Sequence, residues 1–141
     1  DPNGVYGHPD HVKVHLVGAR AAEIAGVDRV LWATANRTLI QQATENGAFD
    51  EDGMSEDERV DRSEFGMSEK ELTHAIDVSA VLDRKRASLM AHASQIGDDS
   101  FFLAMSDDLF TMAFGTEWLV DAARYGVSSQ RQGDLVTSLF D

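Results

Sequence analysis

The run Gly7-His8-Pro9-Asp10-His11 dictates how the start of this chain folds. Proline has no N–H to lose and a φ already set for a helix, so Pro9 belongs at the first helical position and His8 at the N-cap before it. Upstream, Asp1-Pro2-Asn3-Gly4 is turn chemistry and Gly7 adds a second flexible point, so residues 1–7 read as a loop. Downstream, Val12, Val14, Leu16, Val17, Ala21, Ala22 and Ile24 continue a helix that Gly26 stops. Apolar residues occupy much of its circumference, which predicts a helix buried on more than one side.

The same junction concentrates chemistry: Tyr6, His8, Asp10 and His11 bring a phenol, two imidazoles and a carboxylate into six residues. That is metal-hydrolase chemistry, but only part of a site, since zinc catalysis uses three protein ligands and an open position for water. Residues three and four apart share a helix face, so His8 with His11, and His11 with His15, can each converge. Three readings compete. The histidines are surface or capping groups; or His11 and His15 form a metal-binding i,i+4 pair; or His11 is a ligand and His8 a second catalytic group. The i,i+4 pair lacks the glutamate base of His-Glu-x-x-His, because Val12-Lys13-Val14 stands between, which argues against a metalloprotease.

Composition narrows the partners. The chain has 25 acidic and 12 basic residues, a net charge of −13, so nucleic acid or an anionic membrane would be repelled. The short basic run Arg84-Lys85-Arg86 sits in an apparent helix and reads as a solvated face. The absence of cysteine excludes disulfides, thiolate nucleophiles and Cys-type zinc sites, and fits a reducing, cytoplasmic compartment. No apolar stretch reaches the roughly 18 residues of a membrane helix, and no signal peptide is visible. At 141 residues the chain is one domain or a piece of one, and residues 1–141 show no internal boundary. Its opening on a turn, without an initiator Met, suggests a start inside a larger protein, an expectation that intact-mass analysis of the gene product tests.

Along the chain, Val30-Leu31-Trp32-Ala33-Thr34 is strand-like, and Asn36 caps a helix over residues 37–45 that Asn46-Gly47 closes. Residues 50–71 carry ten acidic residues and read as a solvated loop, without the spacing of an EF-hand calcium site. Thr73-His74-Ala75-Ile76-Asp77-Val78 alternates like a half-buried strand. Ser79 caps a helix with apolar Val81, Leu82, Leu89 and Met90; Phe101 to Met105 form a buried patch; residues 107–114 form a short helix and 117–122 a late strand. His74 reads as structural, His92 as a helix-end cap, Trp32 and Trp118 as core, and Met105 and Met112 as core filler.

Asp1-Pro2-Asn3-Gly4-Val5-Tyr6-Gly7-His8-Pro9-Asp10-His11-Val12 resembles the second conserved block of the PIG-L or LmbE-like zinc N-deacetylases. Further likeness runs through Thr73-His74-Ala75-Ile76-Asp77-Val78-Ser79, Asp83-Arg84-Lys85-Arg86, Ala91-His92-Ala93-Ser94-Gln95-Ile96, Phe114-Gly115-Thr116-Glu117-Trp118 and Asp134-Leu135-Val136-Thr137-Ser138-Leu139-Phe140. The resemblance implies an α/β, Rossmann-like fold and a zinc-dependent hydrolase that removes acetyl from an N-acetylglucosamine-type sugar or conjugate. It further implies that His11 is a zinc ligand, that His8 acts on the substrate as general acid or electrostatic stabiliser, that Asp10 orients His8, and that Tyr6 helps stabilise the oxyanion. Many relatives have Gly-Gly where this chain has Gly4-Val5, which stiffens the loop carrying Tyr6.

These roles suit amide hydrolysis. Zn²⁺ lowers the pKa of bound water to about 7, the tetrahedral oxyanion needs preorganised donors, and imidazolium protonates a leaving amine near neutral pH. The family's first block, Ala-His-Pro-Asp-Asp-Glu, which supplies the other two zinc ligands and the aspartate base, has no counterpart here. The expectation is therefore the C-terminal half of such an enzyme, inactive alone, with the missing N-terminal half and a small aminosugar as partners. The oligomeric state is open. An amidase acting on a bulkier N-acyl glucosamine conjugate, and a non-catalytic fragment or subunit with an incomplete metal site, are the alternatives.

Overall fold

The computed structural model describes residues 1–47, 62–94, 96, 100–125 and 135–139. After a one-turn helical segment, α1 (Gly4–Gly7), the elements run α2 (Pro9–Ala25), β1 (Leu31–Thr34), α3 (Arg37–Glu45), β2 (His74–Asp77), α4 (Leu82–Met90), α5 (Phe101–Ala104), α6 (Asp107–Phe114) and β3 (Thr116–Asp121). The α/β content matches expectation. The strands form a sheet in the order β1-β3-β2. β1 and β3 are antiparallel, with Leu31 opposite Asp121 and Thr34 opposite Trp118.

The chain divides into two compact units, Asp1–Ala75 with Trp118–Asp141, and Ile76–Glu117. In the first, Met67, Leu72 and Val120 are buried, with Trp32, Trp118 and Leu135 packed against them. Asn36 is buried as well, and its side-chain oxygen accepts from Leu39 N–H at 3.2 Å, the cap expected for α3. Such a cap is worth about 1 kcal/mol. Two features of this unit depart from expectation. α2 contains no buried residue: Val14, Val17 and Ile24 are each about 70% exposed. And part of the segment read as a solvated loop is structural, because Met67 enters the core and bridges in parallel to Asn36. An apolar Phe65-Gly66-Met67 triplet interrupts the acidic run, and its burial outweighs the solvation of its neighbours. The preceding part of that loop, residues 50–61, lies outside the described residues.

In the second unit Met105 and Phe110 are buried and Phe110 packs on Phe114 with ring centroids 4.7 Å apart. Arg86 is not a solvated residue. Its guanidinium donates to the Leu103 and Met105 carbonyls and to Asp107, and lies 4.1 Å from the Phe110 ring centroid. Lys85 donates to the Phe114 carbonyl and, at 2.6 Å, to Glu117. Both cations thus satisfy carbonyls left unpaired at the ends of α5 and α6. Ser79 does not cap α4; it lies in a 3-10 turn, Ser79–Val81, and its N–H donates to Asp77. Val81, Met90, Phe102 and Met112 are exposed, so the expected burial of these residues fails. α4 and α6 are too short to bury two faces.

His74 is 2% exposed and fully partnered. Arg29 donates to its Nε2 at 2.8 Å, which assigns the proton to Nδ1, 2.7 Å from the Thr73 hydroxyl. Thr73 Oγ1 donates on to the Leu119 carbonyl and accepts from Asp121 N–H. Burial first, then the charges of Arg29 and Arg124 against that of Asp121, hold the imidazole below its ordinary pKa. The folded protein therefore keeps this histidine neutral where the unfolded chain protonates it, so its contribution to stability is present above the unfolded value and is lost as pH falls below about 6.5. The thermal midpoint should drop between pH 7.5 and 5.5, and His74→Gln should flatten that slope; a slope unchanged by the substitution would contradict the assignment.

Candidate functional site

The expected site residues gather where the N-terminal turn meets α2. The Asp1 carboxylate organises the turn: Oδ1 accepts from the N–H groups of Asn3 at 2.9 Å and Val5 at 3.0 Å, while Oδ2 accepts from Thr34 Oγ1 at the end of β1. Gly4 has a φ of +63°, and a Cβ there would lie 2.9 Å from Val12 N and 3.0 Å from His11 Cβ. Only glycine allows the turn to come this close to the helix.

Val5 is less expected. Its φ of 66° and ψ of −53° place a β-branched residue in the positive-φ γ-turn region, a conformation that costs on the order of 1–3 kcal/mol. Its backbone is held from both sides, by Asp1 at the N–H and by the Gly66 N–H, which donates to Val5 O at 2.5 Å. Asn3 Nδ2 donates to the Glu64 carbonyl at 2.9 Å and Tyr6 packs on Phe65, with centroids 5.6 Å apart. Residues 64–66 thus brace the turn, a role the acidic composition around them concealed. Phe65-Gly66 was the available signal: an aromatic and a glycine amid carboxylates.

Three rings converge. Tyr6 lies edge-on to His11 at 5.1 Å and to His8 at 5.9 Å, and the two imidazole centroids are 4.9 Å apart. His8 is the N-cap of α2 and Pro9 its first residue, as the sequence indicates; the His8 Nδ1 accepts from Asp10 N–H at 3.2 Å. The neutral His8 ring therefore carries its proton on Nε2. His11 has the opposite arrangement. Its Nδ1 faces the Gly4 carbonyl at 3.3 Å, and since a carbonyl only accepts, Nδ1 holds the proton and the lone pair lies on Nε2, which has no partner among the described residues. Asp10 contacts His8 through its backbone, and its carboxylate accepts from Lys13 at 3.4 Å, an exposed pair worth little.

His15 turns away from this group and packs edge-on against Trp32 at 4.7 Å, with Tyr125 on the far side of the indole at 5.1 Å. Burial lowers its pKa, so it is neutral at pH 7. The Trp32 indole N–H is buried without a partner among the described residues. His92 donates from Nδ1 to the Ser88 carbonyl at 2.8 Å, closing the end of α4. Among the described residues no three His, Asp or Glu side chains converge as a metal site. Among the described residues, His11, whose ring is oriented by a backbone carbonyl, is the imidazole of this group that could serve a metal, and no complete coordination sphere is present among them.

Gly4→Ala and Gly66→Ala should each destabilise the protein by about 1–3 kcal/mol in urea titrations, because both have positive φ and no room for a methyl group. Gly7→Ala, with open space but a φ of +80°, should cost about 1 kcal/mol. Equal costs at the three positions would show that packing against Val12 and Ala35 contributes nothing.

Comparison with known proteins gives a consistent set of relatives. The chain is 36% identical over 141 residues to a 1D-myo-inositol 2-acetamido-2-deoxy-alpha-D-glucopyranoside deacetylase of Acidothermus cellulolyticus, which covers 96% of this chain and 48% of that protein. Proteins of the same name are 33% identical in Geodermatophilus obscurus, over 99% of the chain and 53% of the relative, and in Streptomyces griseus, over 99% and 48%. The chain spans about half the length of the curated relatives it matches. No family model and no solved structure matches it.

Proposed function

We propose that this chain is the C-terminal half of a zinc-dependent N-deacetylase of Rossmann-like fold, which removes the acetyl group from an N-acetylglucosamine-type conjugate. The relatives carry that deacetylase activity in their names, on a 2-acetamido-2-deoxy-glucopyranoside of myo-inositol. The observation that carries the reading is the complementary state of the two imidazoles. Side by side under Tyr6, His11 offers a lone pair at Nε2 and His8 offers an N–H at Nε2. One ring is set up to bind a cation and its neighbour to donate a hydrogen bond.

Hydrolysis of the acetamide consumes one water: its oxygen bonds to the acetyl carbon, the C–N bond breaks, acetate departs and the sugar nitrogen gains a proton. A Zn²⁺ bound here would supply Lewis acidity and a water ionisable near pH 7. His11 would hold it through Nε2, with Gly4 O fixing the ring. His8 donates a hydrogen bond from Nε2 to the oxyanion, and once protonated to the imidazolium it passes the Nε2 proton to the leaving nitrogen. The Tyr6 hydroxyl is the second donor for the oxyanion, its ring kept beside both histidines by Phe65. Asp10 serves His8 through the N-cap bond. The remaining ligands and the general base belong to the half of the protein outside this chain, so the chain alone should be inactive.

In the full-length protein, elemental analysis should find about one Zn²⁺ per molecule. His11→Ala should abolish that stoichiometry, whereas His8→Ala should keep the metal and lose about 10²–10⁴-fold in kcat. A full-length protein without zinc and without deacetylation of N-acetylglucosaminyl-inositol would overturn the reading.

A further inference from the structure

One half-buried residue collects three consecutive carbonyls. Arg37, the first residue of α3, donates from Nε to Phe65 O at 3.2 Å and from Nη2 to Gly66 O at 2.6 Å, while its backbone N–H donates to Met67 O at 2.9 Å. A planar guanidinium fork holds two acceptors at once in a fixed orientation, which an ammonium on a flexible stem does not. Its charge also makes these bonds stronger than neutral ones. Arg37 thereby ties the brace at residues 64–66 to the start of α3, a helix end that the buried Asn36 caps.

The anchor is continuous with the turn that carries Tyr6. A trans peptide unit is planar, so the Phe65 carbonyl and the Gly66 N–H form one rigid plate and point in opposite directions. Arg37 holds the oxygen of this plate, and the N–H at its other end donates to Val5 O. Val5 O belongs in turn to the plate that ends in the Tyr6 N–H. Fixing two plates in series fixes where the tyrosine leaves the backbone. A cation on the Phe65 oxygen also polarises the first plate and strengthens the donation from its far end. Phe65 supplies the ring on which Tyr6 packs. Tyr6 is 47% exposed, so its place depends on its backbone and on Phe65 more than on enclosure.

We infer that Arg37 is a positioning residue for Tyr6: through the Phe65-Gly66 peptide it holds the turn in the one conformation that keeps the tyrosine beside His8 and His11, without itself touching substrate. The inference rests on the deacetylase reading for its effect on turnover and on the two-plate geometry for its hold on the turn. Val5 gives the hold a purpose. Its positive φ is strained, so a turn released from Gly66 relaxes toward negative φ and carries Tyr6 with it. An arginine that merely supported the fold would leave the share of catalysis carried by Tyr6 unchanged. Residues acting in series behave differently: once the Tyr6 hydroxyl is gone, Arg37 has nothing further to contribute to the reaction.

The test uses the full-length protein, its turnover of N-acetylglucosaminyl-inositol, and the variants Arg37→Met, Tyr6→Phe and the two combined. Arg37→Met should lower kcat about tenfold, as a displaced catalytic group does, with KM and zinc content unchanged. Tyr6→Phe should lower kcat about 10²-fold, and the combined variant should be no slower than Tyr6→Phe alone. Amide exchange of residues 3–7, read by mass spectrometry, should quicken about tenfold in Arg37→Met, while that of residues 12–24 in α2 stays as in the parent. An unchanged kcat, a loss that repeats in full in the Tyr6→Phe background, a loss of zinc, or unchanged exchange at residues 3–7 would each overturn the inference. Circular dichroism checks that the variants are folded. If Arg37→Met misfolds, Arg37→Lys, which keeps the charge and lacks the fork, takes its place under the same criteria. A parent protein that hydrolyses no acetamide would reject the deacetylase reading, and the exchange of residues 3–7 would then decide by itself whether Arg37 holds the turn, so the two failures are distinguishable.

Discussion

One carboxylate, that of Asp1, receives three donors: two backbone N–H groups of the turn that follows it and the hydroxyl of Thr34 at the end of β1. Those bonds tie the turn to β1 from one side while residues 64–66 brace it from the other, and it needs both because a single helical turn is unstable by itself. With them, the turn has a fixed place against β1, Val5 can be held at positive φ, and Tyr6 reaches the two histidines. Hydrogen bonds to an ionised acceptor are about twice as strong as neutral ones, and here they offset the backbone strain one residue before the tyrosine.

The site therefore has two supports of different kinds. α2 presents His8 and His11 on one helical face, a consequence of spacing and of Pro9 at the first position. The turn and the brace at residues 64–66 present Tyr6, a consequence of contacts between segments about sixty residues apart in sequence. The helix supplies regular geometry, whereas the turn supplies a close approach of backbone to backbone.

That division explains what could be read in the residues. The N-cap His8, the stop at Gly26, the cap at Asn36 and the strand over Leu31–Thr34 follow from local chemistry, and the structure has all four. The brace depends on tertiary contact and was hidden within an acidic stretch. Arg86 was hidden too: a run of charges looks like a solvated face until carbonyl ends and an aromatic ring come within reach. The opposite error concerned α2, where an apolar circumference implied burial that this chain does not provide. Periodicity states that a face is apolar and leaves open which polypeptide covers it.

Gly66 carries a wider consequence. A methyl group at this position would run into the Ala35 carbonyl, and the same residue donates to Val5 while its own carbonyl accepts from Arg37. Residues 5, 35, 37 and 66 are thus a single mechanical joint assembled from distant parts of the chain. Changes at these positions are not independent: a variant tolerated at one depends on what occupies the others. A substitution at one of these four positions therefore calls for a compensating change at another.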